Sequence, residues 1–194
     1  MMLPALLLSV GPVHAYRILY AEQLYELYHR QFYEYPQNIA ENIHWLERAL
    51  RADFANPLNA LAVIENRTDW ERYRYLFRMH VNLLLVEQFL LWASKYNKRE
   101  AFFYNYPFRR QNLESLETAE ALFQAALPYW EEARRWSSRA WELSFVHIEE
   151  IQYWADQNHR IETGDLDYAT IIAGHLADLE EVRSEFLAMD DSTY

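Results

Sequence analysis

Glycine is nearly absent from this chain, and that scarcity limits what it can fold into. Only Gly11, Gly164 and Gly174 occur in 194 residues. Tight β-hairpins use glycine at left-handed turn positions. Here no Asn-Gly or Asp-Gly pair is present, and no stretch sustains an alternation of apolar and polar residues. Helix start and stop signals, in contrast, recur regularly. The sequence therefore predicts an all-α fold of antiparallel helical hairpins, with residues 16–194 as a single helical domain of about three hairpins.

The pattern predicts individual helices. A first helix is expected from Tyr16 to Tyr35, stopped by Pro36 and aromatic on nearly every side. Asn38 with Glu41 reads as a capping box for a second helix, which carries Ile39, Ile43, Leu46 and Leu50 and is halted at Asn56-Pro57. Thr68-Asp69-Trp70-Glu71 reads as another box ahead of a central core helix through Val81 to Ala93. The aromatic segment Phe102 to Phe108, with Pro107 inside it, is expected to end that helix. The next helix is expected to begin near Asn112, with a stripe of Leu116, Ala119, Phe123, Ala126, Trp130 and Ala133. Its period runs through a kink at Pro128 and on to Trp154, with a possible break near Ser137-Ser138. Gly164 reads as a C-cap, and Asp165 or Asp167 as the N-cap of a last helix from Tyr168 to Met189.

Met1 to Ala15 has the layout of a secretory signal peptide. An apolar run from Leu3 to Val10 is broken by Gly11-Pro12, and small residues before Tyr16 mark a cleavage site. No Lys or Arg precedes the run, which departs from the usual basic start. The expected location is periplasmic or secreted, in a bacterium. With no Cys in the chain, a lipid-modified cysteine, disulfides and thiolate metal sites are excluded. Glu87 and Gln88 interrupt the later apolar run too early for a membrane span, so no stable membrane insertion is expected after cleavage.

Charge narrows the partners. A net charge of −11 argues against binding nucleic acid, which demands clustered cations. The acids concentrate in residues 162–194, where Arg183 is the lone cation. Elsewhere the cations are almost all Arg, which together with an aromatic surplus favours guanidinium stacking on rings.

Three segments resemble parts of the tetratricopeptide repeat, a helix-turn-helix unit of 34 residues. Ala119, Phe123 and Ala126, followed by Leu127, have the spacing of its second helix. Gly164 to Ala169 is similar to the turn entering such a helix, and Ala49-Leu50, Asp53 and Asn56-Pro57 look like the exit from one. Tyr28 and Pro107 depart from the pattern. The resemblance implies a right-handed array that holds partner proteins on the concave face of its first helices. An irregular helical bundle is the alternative architecture.

Chemistry is sparse by comparison. Glu26/His29 and Glu41/His44 are Glu-x-x-His pairs of the kind used in di-iron bundles. Neither is accompanied by a recognisable complete ligand set, so no metal or other cofactor is expected. The chain has no Gly-x-Ser-x-Gly elbow and no phosphate-cradling glycine loop. The favoured reading is an exported helical adaptor or scaffold that binds other proteins in an envelope assembly. Glu22, Tyr25 and His29 on the first helix, and Arg74 and Arg78 on the third, are the candidate partner-binding residues. Each set shares a helical face. The arginines would hold an acidic partner segment or pair with the acidic last helix. The rival readings are a metalloprotein or enzyme using the Glu-x-x-His pairs, and a glycan-binding module using exposed tryptophans.

Overall fold

The computed structural model describes residues 17–98 and 105–192. The proposed signal segment Met1 to Ala15 lies outside the described residues, as do Phe102 to Tyr104 of the aromatic segment. Six α-helices run through the described residues: α1 (Ala21–Glu34), α2 (Ile39–Arg51), α3 (Arg67–Ser94), α4 (Arg109–Trp141), α5 (Gln152–Thr163) and α6 (Tyr168–Ala188). Short 3-10 turns at Pro57–Asn59, Tyr106–Phe108 and Glu149–Ile151 fill the connections. The fold is all-α, and no strand occurs among the described residues.

Several helix ends differ from the sequence pattern, each for a local reason. The first helix starts at Ala21 because the Gln23 side chain accepts from the Leu19 and Tyr20 amides, giving them partners outside a helix. The Ala21 amide donates to the Asp53 carbonyl, tying the start of α1 to the chain leaving α2. Asn38 does precede α2, but its side-chain Nδ2 donates to the Glu41 carboxylate and its side chain caps no backbone amide. The α3 box begins two residues earlier than expected. Asn66 accepts from the Thr68 and Asp69 amides, and Asp69 reaches back to the Glu65 and Asn66 amides.

At its other end α3 stops at Ser94, ahead of the aromatic segment, and Lys98 shortly beyond adopts a left-handed φ of 58°. The turn Tyr106–Phe108, with Pro107 inside it, launches α4 three residues before Asn112. Neither Pro128 nor Ser137-Ser138 interrupts α4. The helix ends at Trp141, so the apolar pattern reaching Trp154 spans two helices. Gly164 closes α5 at a φ of 83°, and Asp167 caps α6 through the Ala169 and Thr170 amides, as the sequence predicts.

Two interleaved rows organise the interior side of α4. Leu116, Phe123, Trp130 and Ser137 form one, and Ala119, Ala126, Ala133 and Ala140 the other. Each row repeats every seven residues, and every member is buried. A strict seven-residue repeat keeps one seam facing a neighbour over many turns, and the alanine row allows close approach of backbones. α3 runs antiparallel to α4 along this seam, with Tyr75 against Trp136 at one end and the Tyr96 carbonyl bonded to Ser115 at the other. α6 covers α4 from another side, also antiparallel, with Tyr168 on Trp130, His175 on Phe123 and Arg183 on Glu120.

Ala119, Phe123 and Ala126, which carry the tetratricopeptide resemblance, are thus part of a longer stripe. α4 alone spans 33 residues, close to the length of a whole such unit. α1 and α2 pair as a hairpin, and α2 packs on α3. α5 lies against α3 and α4. Among the described residues no helix is long and apolar enough to cross a membrane.

The two glycines at the end of the chain give a paired test. A Cβ added at either meets nothing within 4 Å, so backbone conformation alone decides the outcome. Gly174→Ala, within α6, is expected to stabilise the fold by about 0.5–1 kcal/mol. Gly164→Ala, at positive φ, is expected to destabilise it by about 1 kcal/mol. Urea unfolding of both variants reads the two opposite signs.

Candidate functional site

The first-helix candidates do not present one common surface. Glu22 is buried, and its carboxylate accepts from the Ala55 amide at 2.9 Å, with the Tyr73 hydroxyl at a long 3.5 Å. Tyr73 in turn accepts from the Leu61 amide. Glu22 therefore anchors the connection between α2 and α3 where it crosses the start of α1. Burial raises its carboxyl pKa, against a lowering by the Ala55 amide. Tyr25 is half-buried and points its hydroxyl at His80 Nε2, 2.9 Å away. Only His29 is exposed, edge-on to the Tyr25 and Tyr28 rings.

His80 lies at a polar joint between three helices. Its Nδ1 is 2.7 Å from Gln157 Oε1 on α5, and the Gln157 amide donates onward to the Tyr153 hydroxyl. Both contacts suit a neutral imidazole that donates from Nδ1 and accepts from Tyr25 at Nε2. The ring also stacks on Trp154 at 5.0 Å. Burial drives the His80 pKa down to about 4, while the Gln157 contact partly opposes that fall. No sequence signal announces this joint, because its members are 55 and 77 residues from His80.

The third-helix candidates behave differently. Arg74 and Arg78 lie one turn apart on α3 beside Arg139 of α4, and all three guanidiniums rest on aromatic rings. Arg74 is 5.6 Å from the Trp70 ring centre. Arg78 is 5.4 Å from Phe54 and 4.5 Å from Trp136, and Arg139 is 4.6 Å from the same Trp136. Tyr75 stacks on Trp136 as well. Burial lowers the Arg78 pKa, and the like charges of Arg74 and Arg139 lower it further.

Among the described residues no carboxylate forms an ion pair with any of these three arginines. Elsewhere Arg51, Arg110, Arg134 and Arg135 each take one, and Arg183 takes two. The nearby Glu71 accepts from the Tyr75 hydroxyl instead. Pairing with the acidic last helix, one of the two sequence expectations for Arg74 and Arg78, does not occur. α6 lies antiparallel to α4, with Arg183 at Glu120 and the Leu187 carbonyl at Arg109. From Glu120 to Trp136 is about 24 Å of helix, so the acidic end of α6 lies far from Arg139. The partners the sequence reading missed were Trp136, Arg139, Trp70 and Phe54. Two left a local signal, since Trp70/Arg74 and Trp136/Arg139 have helical-neighbour spacing.

The Glu-x-x-His pairs do not converge. Glu41 accepts from Gln31, Asn38 and Trp45, while His44 is exposed against Trp45. Glu26 and His29 are both exposed. Among the described residues no three His, Asp or Glu side chains are grouped to hold a metal ion. The tryptophans do not share an open cleft either: Trp130 and Trp154 are buried, Trp70 is half-buried, and Trp141 is exposed.

Residues 68–189 match the family described as "Domain of unknown function (DUF8513)", and the chain belongs to that family. The match takes in α3 almost entirely, together with α4, α5 and α6. It includes Arg74, Arg78, Trp136 and Arg139, and leaves out Glu22, Tyr25 and His29. No curated protein and no solved structure matches the chain.

The His80 joint makes stability depend on pH with a definite sign. Between about pH 4 and 6.5 the unfolded imidazole binds a proton that the folded one rejects. Stability is therefore lost as pH falls through that window, by on the order of 3 kcal/mol for the full shift. Glu22, with its raised pKa, acts in the opposite sense. The urea midpoint of the wild type is expected to fall between pH 7 and 5, and His80→Gln to lose most of that fall. An equal fall in both proteins would contradict the assignment.

Proposed function

We propose that this protein is a helical scaffold that binds other proteins, with its docking surface on the α3–α4 face around Arg78. One observation carries the reading. Arg74, Arg78 and Arg139 are clustered, stacked on rings and without carboxylate partners, in a chain that carries 29 acidic residues. Arg, Trp and Tyr are the residue types most enriched where protein interfaces gain their affinity. Stacking occupies the faces of a guanidinium and leaves its N–H edge for an incoming acceptor. Glu22 has a structural role in this reading, and His29 and Tyr25 form at most the edge of a second contact.

The apolar run from Leu3 to Val10 supports export, so the proposed site of work is the periplasm or the cell exterior, within an envelope assembly. The tetratricopeptide resemblance supports the same class of work, since such helical hairpins serve to hold partners. Neither metal nor other cofactor enters this function.

Crosslinking and affinity capture from the native cell envelope test the reading. The wild-type protein is expected to recover a defined partner. Arg78→Ala with Arg139→Ala is expected to reduce that recovery at least about tenfold, with unchanged helical content by circular dichroism. Recovery of the scaffold alone, or equal recovery by the variant, would contradict it.

A further inference from the structure

Three cations held together without an anion repel one another. Burial lowers the Arg78 pKa, and the repulsion from Arg74 and Arg139 lowers it further. The Nε atom of Arg74 is buried and has no hydrogen-bond partner. Trp70, Phe54 and Trp136 hold the three side chains in place, so little side-chain freedom remains to be lost on binding. The cluster is therefore preorganised for negative charge.

The chain's own acidic helix does not supply that charge: among the described residues none of its carboxylates pairs with the three arginines, and its C-terminal half runs past Glu120 toward Arg109, away from Arg139. We propose that the cluster binds an acidic segment of a partner protein through carboxylates spaced one helical turn apart. This rests on the scaffold reading above and names the chemistry of its partner. Arg74 and Arg78 set the spacing, since side chains four apart on a helix are about 6 Å from each other. Glutamates at i, i+4 on a partner helix match it. Arg139 reaches the same segment from across Trp136. The net charge of −11 does not prevent this, because charges beyond about 10 Å are largely screened at 0.1 M salt.

The experiment measures fluorescence anisotropy of a labelled helical peptide carrying glutamates at i, i+4, alongside the same peptide with glutamine in their place. The full-length protein is expected to bind the glutamate peptide at least about tenfold more tightly than the glutamine one. Raising salt from about 0.05 to about 0.5 M is expected to weaken binding about tenfold. Arg78→Gln with Arg139→Gln is expected to remove most of the affinity. Arg78→Lys with Arg139→Lys keeps the charge but loses the planar fork, and is expected to bind several-fold more weakly than wild type. Thermal melts confirm that each variant is folded, and the lysine pair carries the test if the glutamine pair is not.

Equal binding of the two peptides, or undiminished binding by the folded variants, would overturn the proposal. So would displacement of the peptide by inorganic phosphate at the peptide's own concentration, which would mark a site for a bare anion. Self-association through the same arginines, read by sedimentation, would make a second copy the occupant and overturn it too. If capture of the native partner depends on Arg78 and Arg139 while the glutamate peptide does not bind, the scaffold reading stands and the acidic-segment proposal fails.

Discussion

Along α4, a row of alanines and a row of larger residues repeat every seven positions and turn inward between α3 and α6. Close packing along that seam is the constraint on which the rest of the molecule depends. Small residues in one row let backbones approach, while Leu116, Phe123 and Trp130 in the other fill the space between helices. In helices of 28 and 33 residues, packing of a buried face contributes more stability than helix propensity does. Burial of a continuous stripe is what stabilises them. α6, α5 and the α1–α2 hairpin then pack on a body whose geometry is already set.

Two polar features follow from that body, and they differ in kind. The His80 joint lies inside, where Tyr25, Gln157 and Trp154 converge from α1 and α5 on a single ring of α3. Tyr25 and Gln157 each satisfy a ring nitrogen that would otherwise be costly to bury, and Trp154 stacks on the ring, so the joint fixes how the flanking helices seat. The arginine cluster lies at the outer edge of the α3–α4 seam, where rings instead of carboxylates support the charges. The first arrangement is complete within the molecule. The second lacks an anion, and that difference separates a structural network from a candidate docking surface.

Much of the architecture was legible in the sequence, because helices are specified locally. Scarce glycine, the caps at Gly164 and Asp167, and the seven-residue stripe passing through Pro128 all follow from short-range rules. The errors fell at boundaries where a competing local bond was available. Asn66 caps α3 ahead of Thr68, and Gln23 holds the residues before Ala21 out of α1. The candidate surface was half legible. Arg74 and Arg78 were found from their spacing, whereas Phe54 and Arg139 join them only because α3 and α4 pair antiparallel. Glu22, a partner-binding candidate by its spacing, is buried instead, because the chain between α2 and α3 crosses α1 there. Helical periodicity carries no record of that crossing.

The central claim is that Arg78 and Arg139 are held on the Trp136 ring in the free protein, with no carboxylate attached. Side-chain NMR of the arginine Nε–Hε groups tests this most directly. Ring currents from Trp136 are expected to move the Arg78 and Arg139 signals away from those of exposed arginines, and Trp136→Leu is expected to return them. Signals for both residues at the positions of exposed arginines in the wild type would contradict the account.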